Sequence, residues 1–314
     1  MQVILQRRLI NMRQLRYYFN YVDACNMCGS TTEKHKILGQ RLNQSQGFDP
    51  KSKIGISTSV VKCRNCGLIF SNPQPVPFDI QDHYGVPPEN YWNPEYFSID
   101  KNYFSHQIKT TKQLSNFKEG MKALDVGAGL GKCMISLKEA GYDVYGFEPS
   151  VPFHQNAIKK MNIPADKLRL GMIEDVEYPE NHFDFITFGA VLEHLYDPSA
   201  AIAKAMNWLK PGGIIHIEVP SSKYLISKMF NFYFKLRGTN YVNNISPMHT
   251  PFHLYEFDLK SFNLHAEKNK YEVAHHEYYV CDVYFIPKIF HGILKWYMGK
   301  TNKGMQLAIW LQKK

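Results

Sequence analysis

Residues 123 to 150 constrain this chain more than any other stretch. Ala123-Leu-Asp-Val126 is a short apolar run, and Gly127-Ala-Gly-Leu-Gly131 is a glycine-rich turn. Lys132 to Ala140 has helical spacing, and Val144 to Phe147 is a second apolar run ending on the acid Glu148. Strand, loop, helix and strand in this order belong to an α/β sheet. The glycines let the backbone turn sharply and approach a ligand, and the helix N-terminus offers N–H groups without partners. An acid at the end of the second strand accepts hydrogen bonds from ribose hydroxyls. The unit therefore predicts a crossover that holds an adenosine.

Glycine spacing separates two kinds of adenosine ligand. A dinucleotide loop reads Gly-x-Gly-x-x-Gly, and its extra residue makes room for a pyrophosphate. Here Gly127, Gly129 and Gly131 are one residue tighter. Asp125, just before the first glycine, would repel a pyrophosphate, whereas that carboxylate or nearby carbonyls would pair with an amino-acid ammonium. S-adenosylmethionine joins an adenosine to an amino acid. On these residues the chain resembles the class I S-adenosylmethionine-dependent methyltransferases, whose first motif has this form. The resemblance implies cofactor contacts from Asp125, Gly127, Ala128, Gly129, Gly131, Glu148 and Pro149.

Further along, Phe153–Met161 reads as a helix and Lys167–Leu170 as a third strand. The turn Gly171-Met-Ile-Glu-Asp175 resembles the family's adenine-contacting turn. It implies that Met172 and Ile173 sandwich the ring, with Glu174, Asp175 or backbone meeting the adenine amino group. Phe183–Phe188 is a fourth strand, followed by Gly189 and Glu193-His194 at the sheet edge where α/β ligand sites lie. Helix Pro198–Leu209 stops at Lys210-Pro-Gly-Gly213, and strands follow at Ile214–Val219, Tyr271–Glu277 and Met305–Leu311. The expected architecture is α/β: a Rossmann-like seven-stranded sheet, mostly parallel with an antiparallel last strand, preceded by a small zinc ribbon.

The zinc expectation rests on four of the six cysteines. Cys25-Asn-Met-Cys28-Gly29 and Cys63-Arg-Asn-Cys66-Gly67 are two identical knuckles. Thiolates two residues apart chelate one metal from a tight turn, and two knuckles complete a tetrahedral sulfur shell suited to zinc. Zinc is favoured over disulfides. With four protein ligands no position is left for substrate, so the metal would be structural.

Domain boundaries read as a leader at 1–22, the zinc-ribbon module at 23–75, an aromatic linker or lid at 76–114 and the catalytic domain at 115–314. A helical cap is inserted at 221–247. The linker carries Tyr84, Tyr91, Trp92, Tyr96, Phe97, Tyr103 and Phe104, and the insertion is aromatic and basic, fit to cap a pocket or to sit against a membrane surface. No apolar run approaches the ~18 residues of a membrane span. The N-terminus has no secretory signal pattern, so the expected location is cytoplasmic.

A methyl acceptor must lose a proton, and histidine is the usual base near neutral pH. His194, with Glu193 beside it, and the segment carrying His249, His253, Tyr255 and Glu256 are the catalytic candidates. The zinc ribbon ahead of this domain resembles bacterial methyltransferases of sugar and polysaccharide biosynthesis. Deoxysugar C-methyltransferases of that group carry an extra C-terminal domain, whereas this chain ends at the seventh strand. Methylation of a sugar, a glycan hydroxyl or another small molecule is therefore the leading expectation. The net charge of +9 keeps an RNA methyltransferase in view, although the Asn/Asp-Pro-Pro-Tyr/Phe signature of base N-methyltransferases is missing. A non-enzymatic binding module on a methyltransferase scaffold is the third reading, and the intact loop and Glu148 argue against it.

Overall fold

Strands that are apolar on both faces need cover on both faces, and the runs after residue 122 receive it. The computed structural model describes residues 17–42, 56–79, 92–249, 251–283 and 286–314. The elements before the main sheet are β1 (Tyr17–Asn20), β2 (His35–Leu42), β3 (Ser57–Cys63), β4 (Ile69–Asn72), β5 (Gln74–Pro77) and α1 (Ser105–Leu114). The first crossovers are β6 (Lys122–Val126), α2 (Lys132–Glu139), β7 (Asp143–Glu148), α3 (Val151–Met161) and β8 (Leu168–Leu170). Then come β9 (Phe183–Gly189), α4 (Pro198–Trp208), β10 (Leu209–Pro220) and α5 (Leu225–Leu236). The chain closes with β11 (Tyr255–Glu256), α6 (Leu259–Lys268), β12 (Tyr271–Tyr279), α7 (His291–Thr301) and β13 (Gln306–Lys313).

Seven strands pair in the order β12-β13-β10-β9-β6-β7-β8. The ladders from β8 to β10 are parallel, and β13 runs antiparallel to both its neighbours. Alternate residues feed different cores. Leu124, Val126, Ile186 and Phe188 enter one, and Ala123 and Phe185 enter the other together with Trp310. Because β6 lies between β7 and β9, the strand order reverses there, and a crevice opens at the C-terminal ends of β6 and β9. Lys210-Pro-Gly-Gly213 ends α4 as expected. It nonetheless lies inside β10, whose register with β9 shifts between Leu209 and Ile214.

The cysteine module is a four-stranded sheet in the order β11-β4-β3-β2. Its edge strand β11 comes from the far end of the chain, pairing Tyr255 with Phe70 and Glu256 with Ile69. Cys25, Met27, Cys28, Cys63, Cys66, Leu68 and Phe70 share one core with Leu254, Phe257 and Phe262. The module, expected at 23–75, and the large sheet thus share one packed core. The expected leader needs correction. Residues 17–20 pair with β5, and Val22 exchanges two 3.0 Å hydrogen bonds with the Asn72 amide, so the fold begins by Tyr17. Residues 1–16 lie outside the described residues, as do Tyr84 and Tyr91.

The insertion splits in two. Residues 225–236 are helical, but the strand-like stretch after them is tied to β2 by Gln40 N to Asn240 O at 2.8 Å and Val242 N to Gln40 O at 3.2 Å. A Cβ at Gly39 would stand 2.2 Å from Asn240 O, so only glycine permits this approach. Arg41 donates to the carbonyls of Ile245 and Val242 and sits 3.3 Å from His249 Nε2. Of the remaining linker aromatics, Trp92, Tyr96 and Phe97 lie against the first crossover and Phe104 against His216 of β10. Trp92 packs 5.2 Å from Phe153 of α3, and Lys132 of α2 lies over Tyr96.

Candidate functional site

The glycine loop turns where the sequence places it. Gly127, Gly129 and Gly131 have φ of +67°, +56° and +75°, a region that side chains rarely tolerate. A Cβ on Gly127 would strike Val191, and one on Gly131 would strike Ile163, whereas one on Gly129 would meet nothing within 4 Å. Open space of that kind also lies over Gly189. The Glu148 carboxylate accepts from Gly129 N at 2.7 Å and Ser150 N at 2.8 Å, which fixes it at the loop.

Asp125 is buried and its Oδ2 has no hydrogen-bond partner. Burial, with Glu148 nearby, pushes its pKa up to about 8. Burial likewise raises Glu148 to about 7 despite its two N–H donors. A ligand carrying positive charge relieves such a pocket, and the ammonium and sulfonium of S-adenosylmethionine fit it. Of the adenine-turn residues, Met172 is half-buried, Ile173 is packed into the main core, and Glu174 and Asp175 face outward. Pro149 follows Glu148 at the mouth.

The second constellation assembles residues that are far apart in sequence. Ala190 adopts φ +56°, and a short 3-10 turn then carries Glu193 and His194. His253 arrives from the other side, its ring centroid 4.9 Å from that of His194 and its Nε2 3.8 Å from Glu193 Oε1. His194 Nδ1 lies 3.3 Å from Phe252 O. A carbonyl can only accept, so Nδ1 carries the proton and Nε2 is the basic nitrogen. Burial lowers His194 to about 4 and, with His194 beside it, His253 to about 3. Burial raises Glu193 to about 8, and its Oε2 has no partner.

The other candidates take different places. Tyr255 is fully buried, its hydroxyl within reach of Gln74, Asn26 Oδ1 and Tyr196 O. Glu256 accepts from Asn244 Nδ2 and Ile245 N, and His249 faces Arg41. These groups hold the returning segment together, away from the His194 pair. Sequence reasoning placed Tyr103 only in the aromatic linker or lid and passed over Gln107 and Glu218. Gln107 Nε2 is 3.4 Å from Glu218 Oε2 at the end of β10. Burial, followed by Cys133, Asp125 and Glu218, pushes the Tyr103 phenol above its ordinary range. The turn into α1 that places these residues, with Phe104 at φ +62°, leaves no sequence signature.

The cysteines converge as well. Cys25 and Cys66 sulfurs lie 3.5 Å apart and those of Cys28 and Cys63 3.6 Å, with all four within 4.8 Å of one another. Zinc with bonds of about 2.3 Å needs sulfurs about 3.8 Å apart, so the donor set fits. Each knuckle is closed by a glycine N–H to the first cysteine's carbonyl, at 2.7 Å and 2.9 Å.

The switch-point crevice, the glycine loop and Glu148 define a Rossmann-like methyltransferase fold. A family model described as a methyltransferase domain matches residues 100–290, and the chain belongs to that family. It is 29% identical over 133 residues to a demethylmenaquinone methyltransferase of a Geobacillus species, covering 40% of this chain and 57% of that protein. With phosphoethanolamine N-methyltransferase 3 of Arabidopsis thaliana it shares 32% identity over 142 residues, 42% of this chain and 28% of the relative. The chain therefore spans only part of the length of these relatives. In fold it is similar to a chain from the complex between the Haloferax volcanii Trm112 methyltransferase activator and a methyltransferase. The TM-score is 0.51 at 15% identity, covering 73% of this chain and 99% of that one.

Two outcomes test the cofactor pocket. Gly129→Val would project a side chain into the open space while its backbone strain stays near ~1–2 kcal/mol. Calorimetric S-adenosylmethionine affinity should fall more than about tenfold with the circular dichroism spectrum kept; unchanged affinity would refute the loop assignment. Asp125 holds a proton near neutral pH, and a cation beside it favours the carboxylate. Binding should therefore release a proton and tighten as pH rises toward about 8. Binding heats that do not vary with the buffer's ionisation enthalpy would exclude this pairing.

Proposed function

We propose that the protein transfers a methyl group from S-adenosylmethionine to a small-molecule acceptor whose O–H or acidic C–H gives its proton to His194. The observation that carries this reading is that the turn bearing His194 packs on the glycine loop. Val191, three residues before His194, is what a Cβ on Gly127 would strike. Bound S-adenosylmethionine supplies an electrophilic methyl on a positive sulfur. This chain's residues do the rest. Asp125 pairs with the ammonium, Glu148 takes the ribose hydroxyls, and Met172 flanks the adenine. Pro149, Ala128, Gly189 and the outward Glu174 line the approach.

His194 stays unprotonated because its site is dry, and it accepts the acceptor's proton at Nε2. His253 and Glu193 are positioning residues: they pack against the imidazole and exclude water from its far side. Tyr255 belongs to the scaffold. A small molecule is the acceptor class in keeping with the names of the two relatives, demethylmenaquinone and phosphoethanolamine. A sugar or glycan hydroxyl remains within that class, and neither name refers to a sugar or to RNA. The cysteine quartet holds a structural zinc in this reading, since its shell is complete and lies behind the returning segment.

His194→Ala should leave S-adenosylmethionine affinity intact and lower turnover about 10²- to 10⁴-fold, read as labelled methyl entering fractionated host extract. With the wild type, protonation at about 4 should set the acid limit, so activity persists as pH falls below the ordinary imidazole range. Full activity in the variant removes His194 as base. Metal analysis should find stoichiometric zinc, and its release by a mercurial should lower the melting temperature. A metal-free chain with an unchanged melting temperature would exclude the zinc.

A further inference from the structure

The helices α5 and α7 carry an apolar face that the other described residues leave exposed. On α5, Met229, Phe232, Tyr233 and Leu236 recur at helical spacing, and Phe232 and Leu236 are 63% and 70% exposed. On α7 and the turn before it, Ile289, Ile293 and Trp296 are 84%, 64% and 62% exposed. The inner sides of the two helices meet in one cluster, where Ile226 and Met298 are joined by Val283 from the segment after β12, and Leu225 N reaches Lys303 O at 3.2 Å. The outer stripes are therefore neighbours on one surface. A contiguous exposed apolar patch of this kind marks an interaction site in a folded protein.

Charge selects what the patch meets. Between Val219 and Tyr255 the chain has no Asp or Glu but has Lys223, Lys228, Lys235 and Arg237. Between Val283 and Lys314 it again has no acid, and Lys288, Lys295, Lys300 and Lys303 flank the helix. Asp258 and Asp282 pair with Lys223 and Lys295, which leaves Lys235, Lys288 and Lys300 beside the large apolar and aromatic side chains, as a helix lying in a bilayer interface requires. A twofold contact with a second copy would set lysine against lysine with no acid from either helix to answer it. Topology gives the patch its place. α5 leaves the C-terminal end of β10, and α7 joins the C-terminal end of β12 to the antiparallel β13. The face thus lies on the same edge of the sheet as the glycine loop and His194.

We propose that the surface formed by α5 and α7 seats this protein on an anionic phospholipid bilayer. Among the described residues no helix is long and apolar enough to cross a membrane, so the contact is peripheral. The full chain should sediment with phosphatidylcholine vesicles that contain phosphatidylglycerol, and much less with phosphatidylcholine alone. Each lysine near such a surface is worth about a factor of five, so Lys235, Lys288 and Lys300 changed together to Ala should weaken binding about a hundredfold. Phe232→Ser with Ile293→Ser should also abolish sedimentation, while S-adenosylmethionine affinity stays at the wild-type value in both variants. A wild-type chain that ignores anionic vesicles would overturn the proposal, as would vesicle binding unchanged in the lysine variant. Self-association through this face, seen by sedimentation velocity without vesicle binding, would assign it to a second copy instead.

Discussion

Residues 254 to 257 are bonded on both sides, and the arrangement of the candidate site depends on it. On one side, Ser71 N donates to Leu254 O at 3.2 Å and β11 pairs with β4. On the other, Leu254 N donates to Glu193 O and Phe257 N to Pro220 O, each at 2.8 Å. Four residues of extended chain therefore join the cysteine sheet to the ends of β9 and β10. His253 immediately precedes this strap, so its ring is aimed at His194 by the same hydrogen bonds. The Tyr255 hydroxyl buried in the seam, and Lys268 donating to Cys28 O, tie the knuckles to the opposite side of the strap. A metal that stiffens the cysteine sheet would in this way stiffen the position of a histidine it never touches.

The electrostatics of the crevice follow from burial. Asp125, Glu148, Glu193 and Glu218 gather at the C-terminal edge, and burial raises the pKa of each. A buried carboxylate oxygen without a partner, as at Asp125, is costly to ionise, and a cation arriving beside it relieves that cost. The two histidines are pushed the opposite way by the same dryness. The result is a dry site that suits a cationic cofactor on one side and a proton acceptor on the other. The basic surface residues contribute little here, because solvent screens them over about 8–10 Å.

The sheet was legible because its strands announce themselves as apolar runs between turn signals. Phe183–Phe188 and Tyr271–Glu277 match β9 and β12 to within a residue or two. The glycine loop and the four cysteines were legible because their spacing is local and their chemistry narrow. What escaped the sequence was non-local. β11 is two residues long, too short for any periodicity, and it exists only because β4 offers an edge. Glu256 and His249 looked equivalent to His253 in sequence, yet Asn244 and Arg41 claim them. Gly39 carried no signal either, since its need for a missing side chain arises from Asn240, far along the chain.

The division of labour follows from where the insertions fall. Three segments added to the crossover sheet after β6 enter at the C-terminal ends of the strands: the turn bearing His194 after β9, α5 and the strap after β10, and α7 after β12. Loops at that edge can change without disturbing strands that are buried on both faces. The opposite edge carries the tight returns that set register. One edge therefore holds the cofactor loop, the histidine pair and the exposed apolar helices together.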